Sequence, residues 1–140
     1  MSAKLTIGFL GAGKMATALA RGLVRAKLAA PAHIFASDPI SAARDAFAKE
    51  TGGKSAASNV EVVKSAKVIF LSVKPDQTAT VLGDVRENFS ADHLLVSIAA
   101  GVPIAKLEAA LPAGARVIRV MPNTPALIGE SASAYALGKS

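Results

Sequence analysis

A chain of 140 residues has the length of one domain, enough for a full hydrophobic core and short for a two-domain enzyme. Apolar residues at 51% and charged residues at 19% exclude a disordered chain, and no segment nears the roughly 20 apolar residues of a membrane-crossing helix. With no cysteine there are no disulfides, thiolate nucleophiles or Cys-ligated metals, and a net charge of +6 spread thinly from Lys4 to Lys139, with 4% aromatics, argues against nucleic acid.

Lys4–Leu10 reads as a first strand. Its apolar run is too short for a secretion signal and carries Gly8, so a cytoplasmic protein is expected. Gly13 to about Lys27 reads as a helix, with Met15, Leu19, Leu23 and Leu28 at near-helical spacing. Pro31 closes that connection. His33–Ser37 is a second strand, and Ser41–Glu50 a helix opened by Asp38-Pro39 with a serine at its cap. Gly52-Gly53 breaks it. A short strand at Lys54–Ala56, a small helix at Asn59–Ser65 and a buried-type strand at Val68–Val73 follow.

Asp76–Asn88 is helical, Leu94–Ala99 a strand, Pro103–Ala110 a helix and Arg116–Met121 another strand; Ser131–Leu137 offers an additional edge strand. The alternation predicts an α/β fold: a Rossmann-type, doubly wound, mostly parallel sheet of about six strands with helices on both faces. One domain, residues 1–140, is expected.

Gly11-Ala12-Gly13-Lys14-Met15-Ala16 fits G-x-G-x-x-A after a strand and at the start of a helix, with Asp38 lying 22 positions beyond Ala16. Gly11 permits a tight turn. Gly13 lets backbone approach a pyrophosphate, and Ala16 lets the helix pack close to the strand. The helix start then offers unpaired N–H groups and partial positive charge to phosphates. Gly8, Gly13 and Lys14 also match the opening of G-x-x-x-x-G-K, but Met15 stands where that loop needs a magnesium-binding hydroxyl, and Gly8 falls inside the strand. Asp38 can accept from an adenosine ribose, favouring NAD(H), while Ser37 and Arg44 could serve a 2′-phosphate; Asp38 can equally be a helix cap.

Three later strand ends carry Ser72-Val73-Lys74-Pro75, Ser97-Ile98-Ala99-Ala100-Gly101 and Met121-Pro122-Asn123-Thr124-Pro125. In an open α/β sheet all three face the ligand crevice. Ala99, Ala100 and Gly101 leave room for a flat ring; Lys74, Asn123 and Thr124 supply donors and acceptors. Taken singly, Lys74-Pro75 can merely end a strand, and Pro122 and Pro125 stiffen a turn. His33 and His93, at strand beginnings away from the crevice, are expected at the surface.

Together, I-G-F-L-G-A-G-K-M-A, S-V-K-P, S-I-A-A-G-V and R-V-M-P-N-T-P-A resemble the pyrroline-5-carboxylate reductase family in order and approximate spacing, over essentially the whole chain. The resemblance implies reduction of 1-pyrroline-5-carboxylate to L-proline with NADP(H), NAD(H) remaining open because the family often has a second serine where Asp38 stands. It implies that Leu10, Gly11, Ala12, Gly13, Lys14 and Met15 line the diphosphate. Ser37 and Asp38 meet the adenosine ribose or its 2′-phosphate, and Asn59 matches a further cofactor contact. Ser72, Val73, Lys74, Pro75, Ile98, Ala99 and Ala100 flank the nicotinamide side.

No catalytic residue and no metal are expected within the chain, since the cofactor carries hydride chemistry. The family continues into a helical domain that forms the dimer and much of the substrate pocket, so a homo-oligomer is expected only with that domain. A non-catalytic nucleotide-binding module, or a 3-hydroxyacid-type dehydrogenase domain, are the competing readings.

Overall fold

The computed structural model describes residues 4–121 and 134–139. Strand β1 (Ile7–Leu10) is buried along its whole length, as a central parallel strand covered on both faces must be. The chain then runs through α1 (Lys14–Arg25), β2 (Ile34–Ser37), α2 (Ser41–Thr51), β3 (Lys54–Ser55) and α3 (Asn59–Ser65) to β4 (Val68–Leu71). Beyond it come α4 (Thr78–Val85), β5 (Leu94–Ser97), α5 (Ile104–Ala110), β6 (Arg116–Met121) and β7 (Ala134–Leu137). Single 3₁₀ turns at Pro75–Gln77 and Arg86–Asn88 extend α4 at both ends.

The strand order is β3-β2-β1-β4-β5-β6-β7. The first six strands are parallel, and β7 runs antiparallel to β6, with Met121 opposite Ala134. The fold is thus the doubly wound α/β sheet expected, with seven strands among the described residues and the edge strand antiparallel. Alternate residues of β1 feed two cores. Ile7 and Phe9 pack with Ala16 and Ala20 of α1 and Phe47 of α2; Leu10 packs with Val62 and Val63 of α3 and Leu82 of α4.

Phe9 is the hub of the first core, its ring centroid 4.9 Å from Phe70 and 5.6 Å from Phe47. Burying one such ring is worth roughly 1.5–3 kcal/mol. On the other face α3 lies directly on β1, so that a Cβ at Gly8 would collide with the Val62 side chain. Gly8 therefore serves helix–strand packing inside β1, not a phosphate loop.

Several expectations need correcting. Leu28 is 60% exposed, not a core position of α1. The helix stops at Arg25, and Lys27 turns left-handed (φ 59°), which throws Leu28 outward while Ala29 turns in. Ser41 does not cap α2. The cap residue is Ile40, with no side-chain cap bond, and its N–H donates to Asp38 Oδ1 at 2.9 Å.

His93 is not a surface residue. It is buried, with Nδ1 2.9 Å from the Ser90 amide nitrogen and Nε2 2.9 Å from the Val63 carbonyl oxygen. That pairing makes Nδ1 the acceptor and Nε2–H the donor, a structural bracket between α3 and the start of β5. His33, half-buried, ends the Pro31–His33 turn before β2.

Candidate functional site

Strand order reverses at β1: the chain leaves it towards β2 on one side and returns to β4 on the other. A crevice opens at such a reversal, off the carboxyl ends of the strands. Here it is closed from below by backbone bonds. Gly11 N–H donates to Ser37 O and Ser72 N–H to Leu10 O, each at 2.9 Å.

The loop after β1 therefore rides on the tips of β2 and β4. Gly11 has φ 104°, and a Cβ there would lie 2.7 Å from the Ser72 carbonyl oxygen, so both conformation and space demand glycine. Ser72 Oγ completes the seat, 2.7 Å from Gly11 O and 3.1 Å from Leu10 O.

Gly13 differs. Its φ of −76° and ψ of −169° suit any residue, and a Cβ built on it meets nothing within 4 Å. The fold does not require glycine at this position; the missing side chain leaves space beside the mouth of α1. At that mouth the amides of Gly13, Lys14 and Met15 have no hydrogen-bond partner among the described residues. The first turn of α1 holds no acidic side chain to offset its partial positive charge.

The neighbouring amide is not free. Ala12 N–H donates to Asp38 Oδ2 at 3.0 Å, so the available donors begin at Gly13 rather than at Gly11. This arrangement can hold an anion, and the chemistry of the donor set fits a diphosphate. Lys14 is exposed beside it and Met15 half-buried.

On the β2 side the crevice deepens into a cavity of about 680 Å³, bounded by Gly11, Ser37, Asp38, Arg44, Asn59 and the α4 wall. Ser37, 2% exposed, donates its hydroxyl proton to Asn59 Oδ1 at 2.6 Å. Asn59 Nδ2 reaches Asp84 Oδ2 at 3.4 Å, which links β2, α3 and α4 across the cavity floor. Arg44 Nη1 donates to the Asp38 carbonyl at 2.6 Å. A second hollow, about 450 Å³, lies between α1 and α2 beyond Gly13 and Lys14.

On the β4–β5 side, Ile98 is half-buried with its N–H on Leu71 O at 3.1 Å. Ala99 is buried, and Ala100 is exposed at the strand tip. Val73 packs on the core beneath, whereas Lys74 and Pro75 are exposed at the crevice mouth. The structure thus gathers Leu10–Met15, Ser37, Asp38, Asn59, Ser72 and Val73 around the switch point, with Ile98–Ala100 one strand further on.

Pro122, Asn123, Thr124 and Pro125 lie outside the described residues. Arg44, named from the sequence for a 2′-phosphate, does bound the cavity, whereas its α4 wall (Asp76, Gln77, Thr80, Asp84) was not expected. The only sequence signal of that wall is its position in the helical segment that follows β4. Among the described residues no group of three or more His, Asp or Glu side chains converges as a metal site would, and no helix is long and apolar enough to cross a membrane.

Residues 6–101 match the family described as NADP oxidoreductase, coenzyme F420-dependent. The chain is 39% identical over 134 residues to a pyrroline-5-carboxylate reductase of Methanosarcina acetivorans, covering 96% of this chain and 50% of that protein. It is 41% identical over 135 residues to pyrroline-5-carboxylate reductase 3 of Danio rerio, covering 96% and 46%. Among solved structures, the Plasmodium falciparum pyrroline carboxylate reductase with NADP bound superposes with a TM-score of 0.84 at 32% identity, over 96% of this chain and 48% of that one. The enzyme from Coxiella burnetii gives 0.91 at 27%, over 98% and 51%.

The chain thus spans about half the length of the relatives it matches. With the glycine loop, switch point and strand order already in place, the chain belongs to this NADP oxidoreductase family, and its fold is similar to the half of the pyrroline-5-carboxylate reductases that it covers.

Proposed function

We propose that the chain is the cofactor-binding part of an enzyme that reduces 1-pyrroline-5-carboxylate to L-proline. The observation that carries this reading is the pair of glycines in one loop. Gly11 is demanded by the fold, while Gly13 is not and leaves open space beside unpartnered amides. A folding requirement does not explain Gly13; an anionic ligand does. The named relatives supply the substrate.

In this reading the amides of Gly13, Lys14 and Met15 hold the diphosphate. Ser37, Asp38 and Asn59 wall the adenosine cavity. Ser72 to Pro75 and Ile98 to Ala100 position the nicotinamide, where the small side chains of Ala99 and Ala100 leave one ring face clear. The dinucleotide supplies a hydride to the carbon of the substrate's C=N bond. A protonated cyclic imine is already electrophilic, so the chain's task is positioning, and none of its side chains is assigned as catalytic. Lys74, Asn123 and Thr124 are the crevice residues to test.

The proposal extends to architecture: residues 1–140 form the dinucleotide domain, and a helical domain completes the substrate pocket and the dimer. A cytoplasmic enzyme acting on a small molecule, not on nucleic acid or a membrane, completes it. Calorimetric titration of the chain with NADPH and NADH tests the reading. Saturable binding of at least one is expected; binding of neither overturns it.

A further inference from the structure

We propose that the hollow between α1 and α2 is a second ligand site, whose charges select an acidic amino acid such as L-glutamate, and whose occupancy weakens dinucleotide binding through Lys14. The site itself stands apart from the dinucleotide reading above; its coupling rests on that reading.

The hollow, about 450 Å³, shares no lining residue with the 680 Å³ cavity: one opens beyond Ala12 and Gly13, the other from Gly11. Successive crossovers from β1 to β2 and from β2 to β3 lead in one direction along the sheet, which sets α1 and α2 side by side on one face. Beneath them Ala16, Ala20 and Phe47 pack in one core. Further out, the helices line the hollow with Ala18, Ala43 and Ala46, and side chains this short leave the gap unfilled.

Charged groups surround that gap. Lys14 stands at its upper end, at the mouth of α1. Arg21 lies seven residues on, two turns down the same helix face and about 10.5 Å along the axis. Glu50 lines the hollow from α2. None of the three joins a salt bridge among the described residues, so no ion pair closes the groove and each is left for a ligand. Thr17, the remaining polar side chain of the wall, gives its hydroxyl proton to Gly13 O at 3.0 Å.

Two cations and one carboxylate complement two carboxylates and one ammonium. An acidic amino acid carries that set on a short apolar chain, whose methylenes can rest on the alanines. The hollow is larger than one such molecule. Water fills the remainder, and charge rather than shape does the selecting.

Lys14 belongs to both sites: its amide is at the mouth of α1, and its side chain lines the hollow. A ligand that engages the ammonium draws a cation from the diphosphate and sets negative charge beside it, and the two anions repel. The coupling acts equally in both directions.

Calorimetric titration of the chain at low salt with L-glutamate, glutarate, L-glutamine and L-proline tests the site. L-Glutamate is expected to saturate with a Kd of about 1 mM or tighter. Glutarate lacks the ammonium, and L-glutamine and L-proline lack the second carboxylate; each should bind at least about fivefold more weakly. Arg21→Gln and Glu50→Gln should each weaken L-glutamate by about fivefold. Ala46→Leu fills the hollow from an exposed position and should weaken it by more than about tenfold. All three variants should melt as the wild type does and bind NADPH within about twofold of it. With L-glutamate saturating, the wild-type Kd for NADPH should rise to a plateau about two- to fivefold higher.

The proposal is overturned if L-glutamate does not saturate, if the three variants bind it as the wild type does, or if it leaves the Kd for NADPH unchanged. A Kd for NADPH that climbs without a plateau places L-glutamate in the diphosphate mouth and overturns it too. In each case the dinucleotide reading survives. A chain that binds neither NADPH nor NADH overturns that reading, and the coupling with it.

Discussion

Replacing Gly13 with valine separates the loop's binding task from its folding task. The backbone at Gly13 is extended and open to any L-residue, and no atom lies within 4 Å of an added Cβ. The folding cost is therefore the loss of a tolerated cap residue, about 0.5–1 kcal/mol. For a domain of this size that lowers the melting temperature by roughly 2–4 °C.

The binding cost is larger. The valine methyls enter the space beside the amides of Gly13, Lys14 and Met15 and keep a phosphate from closing on them. Losing two charge-assisted bonds at about 1.5–3 kcal/mol each removes roughly 3–6 kcal/mol, or about a hundred- to ten-thousandfold in Kd. Gly11→Ala behaves in the opposite order. A φ of 104° and a carbonyl oxygen at 2.7 Å from the new Cβ cost about 3 kcal/mol or more in stability, a fall of roughly 10 °C. Titration with NADPH and NADH, run beside thermal melts, reads both quantities. A Gly13→Val chain that binds within about threefold of wild type, or that melts as low as Gly11→Ala, would refute the reasoning.

Other substitutions probe the corrected positions. Leu28→Ser should change stability by no more than about 0.5 kcal/mol in urea denaturation, because the side chain is already in water. A loss above about 2 kcal/mol would return it to the core. His93→Ala should cost about 2–4 kcal/mol by the same assay, since it leaves the buried Val63 carbonyl without its donor and opens a cavity against Phe89. Asn59→Ala removes the link from Ser37 to Asp84. It should weaken 5′-AMP by about five- to tenfold while costing only about 1 kcal/mol of stability, read by titration and melt together. In a spectrophotometric assay with 1-pyrroline-5-carboxylate and NADPH, the chain alone should show little or no turnover, because it spans only about half the length of the reductases it matches. Turnover comparable to a full-length relative would refute that.

Much of the fold was legible because parallel strands buried on both faces read as continuous apolar runs, and because caps and breakers are local. Asn59–Ser65 and Arg116–Met121 emerge with the boundaries expected of them, and Gly52 breaks α2 as expected, by turning left-handed. What failed depended on where the chain goes next. Leu28 follows Leu23 by five residues, one beyond the spacing that keeps a helix face, and the helix has ended at Arg25 before the left-handed Lys27. His93 looked like a surface residue because its acceptor, Val63 O, lies 30 residues away. The antiparallel sense of β7 likewise rests on a register with β6 that no local pattern encodes.

The site divides along the same line. The glycine loop was readable as a motif, yet which of its amides remain for a ligand is decided by Asp38, 26 residues from Ala12. A half-buried carboxylate needs donors, and the nearest are Ala12 N–H and Ile40 N–H. Taking the first removes Ala12 from the anion site and shifts the binding edge to Gly13. The same bond ties the loop to the start of α2 and so holds the mouth of α1 over the crevice. One loop amide is thus spent on fixing the others in place. Asp38→Ala, by freeing Ala12 N–H while releasing the loop, would add a donor to the site and remove the rigidity that makes the donors converge.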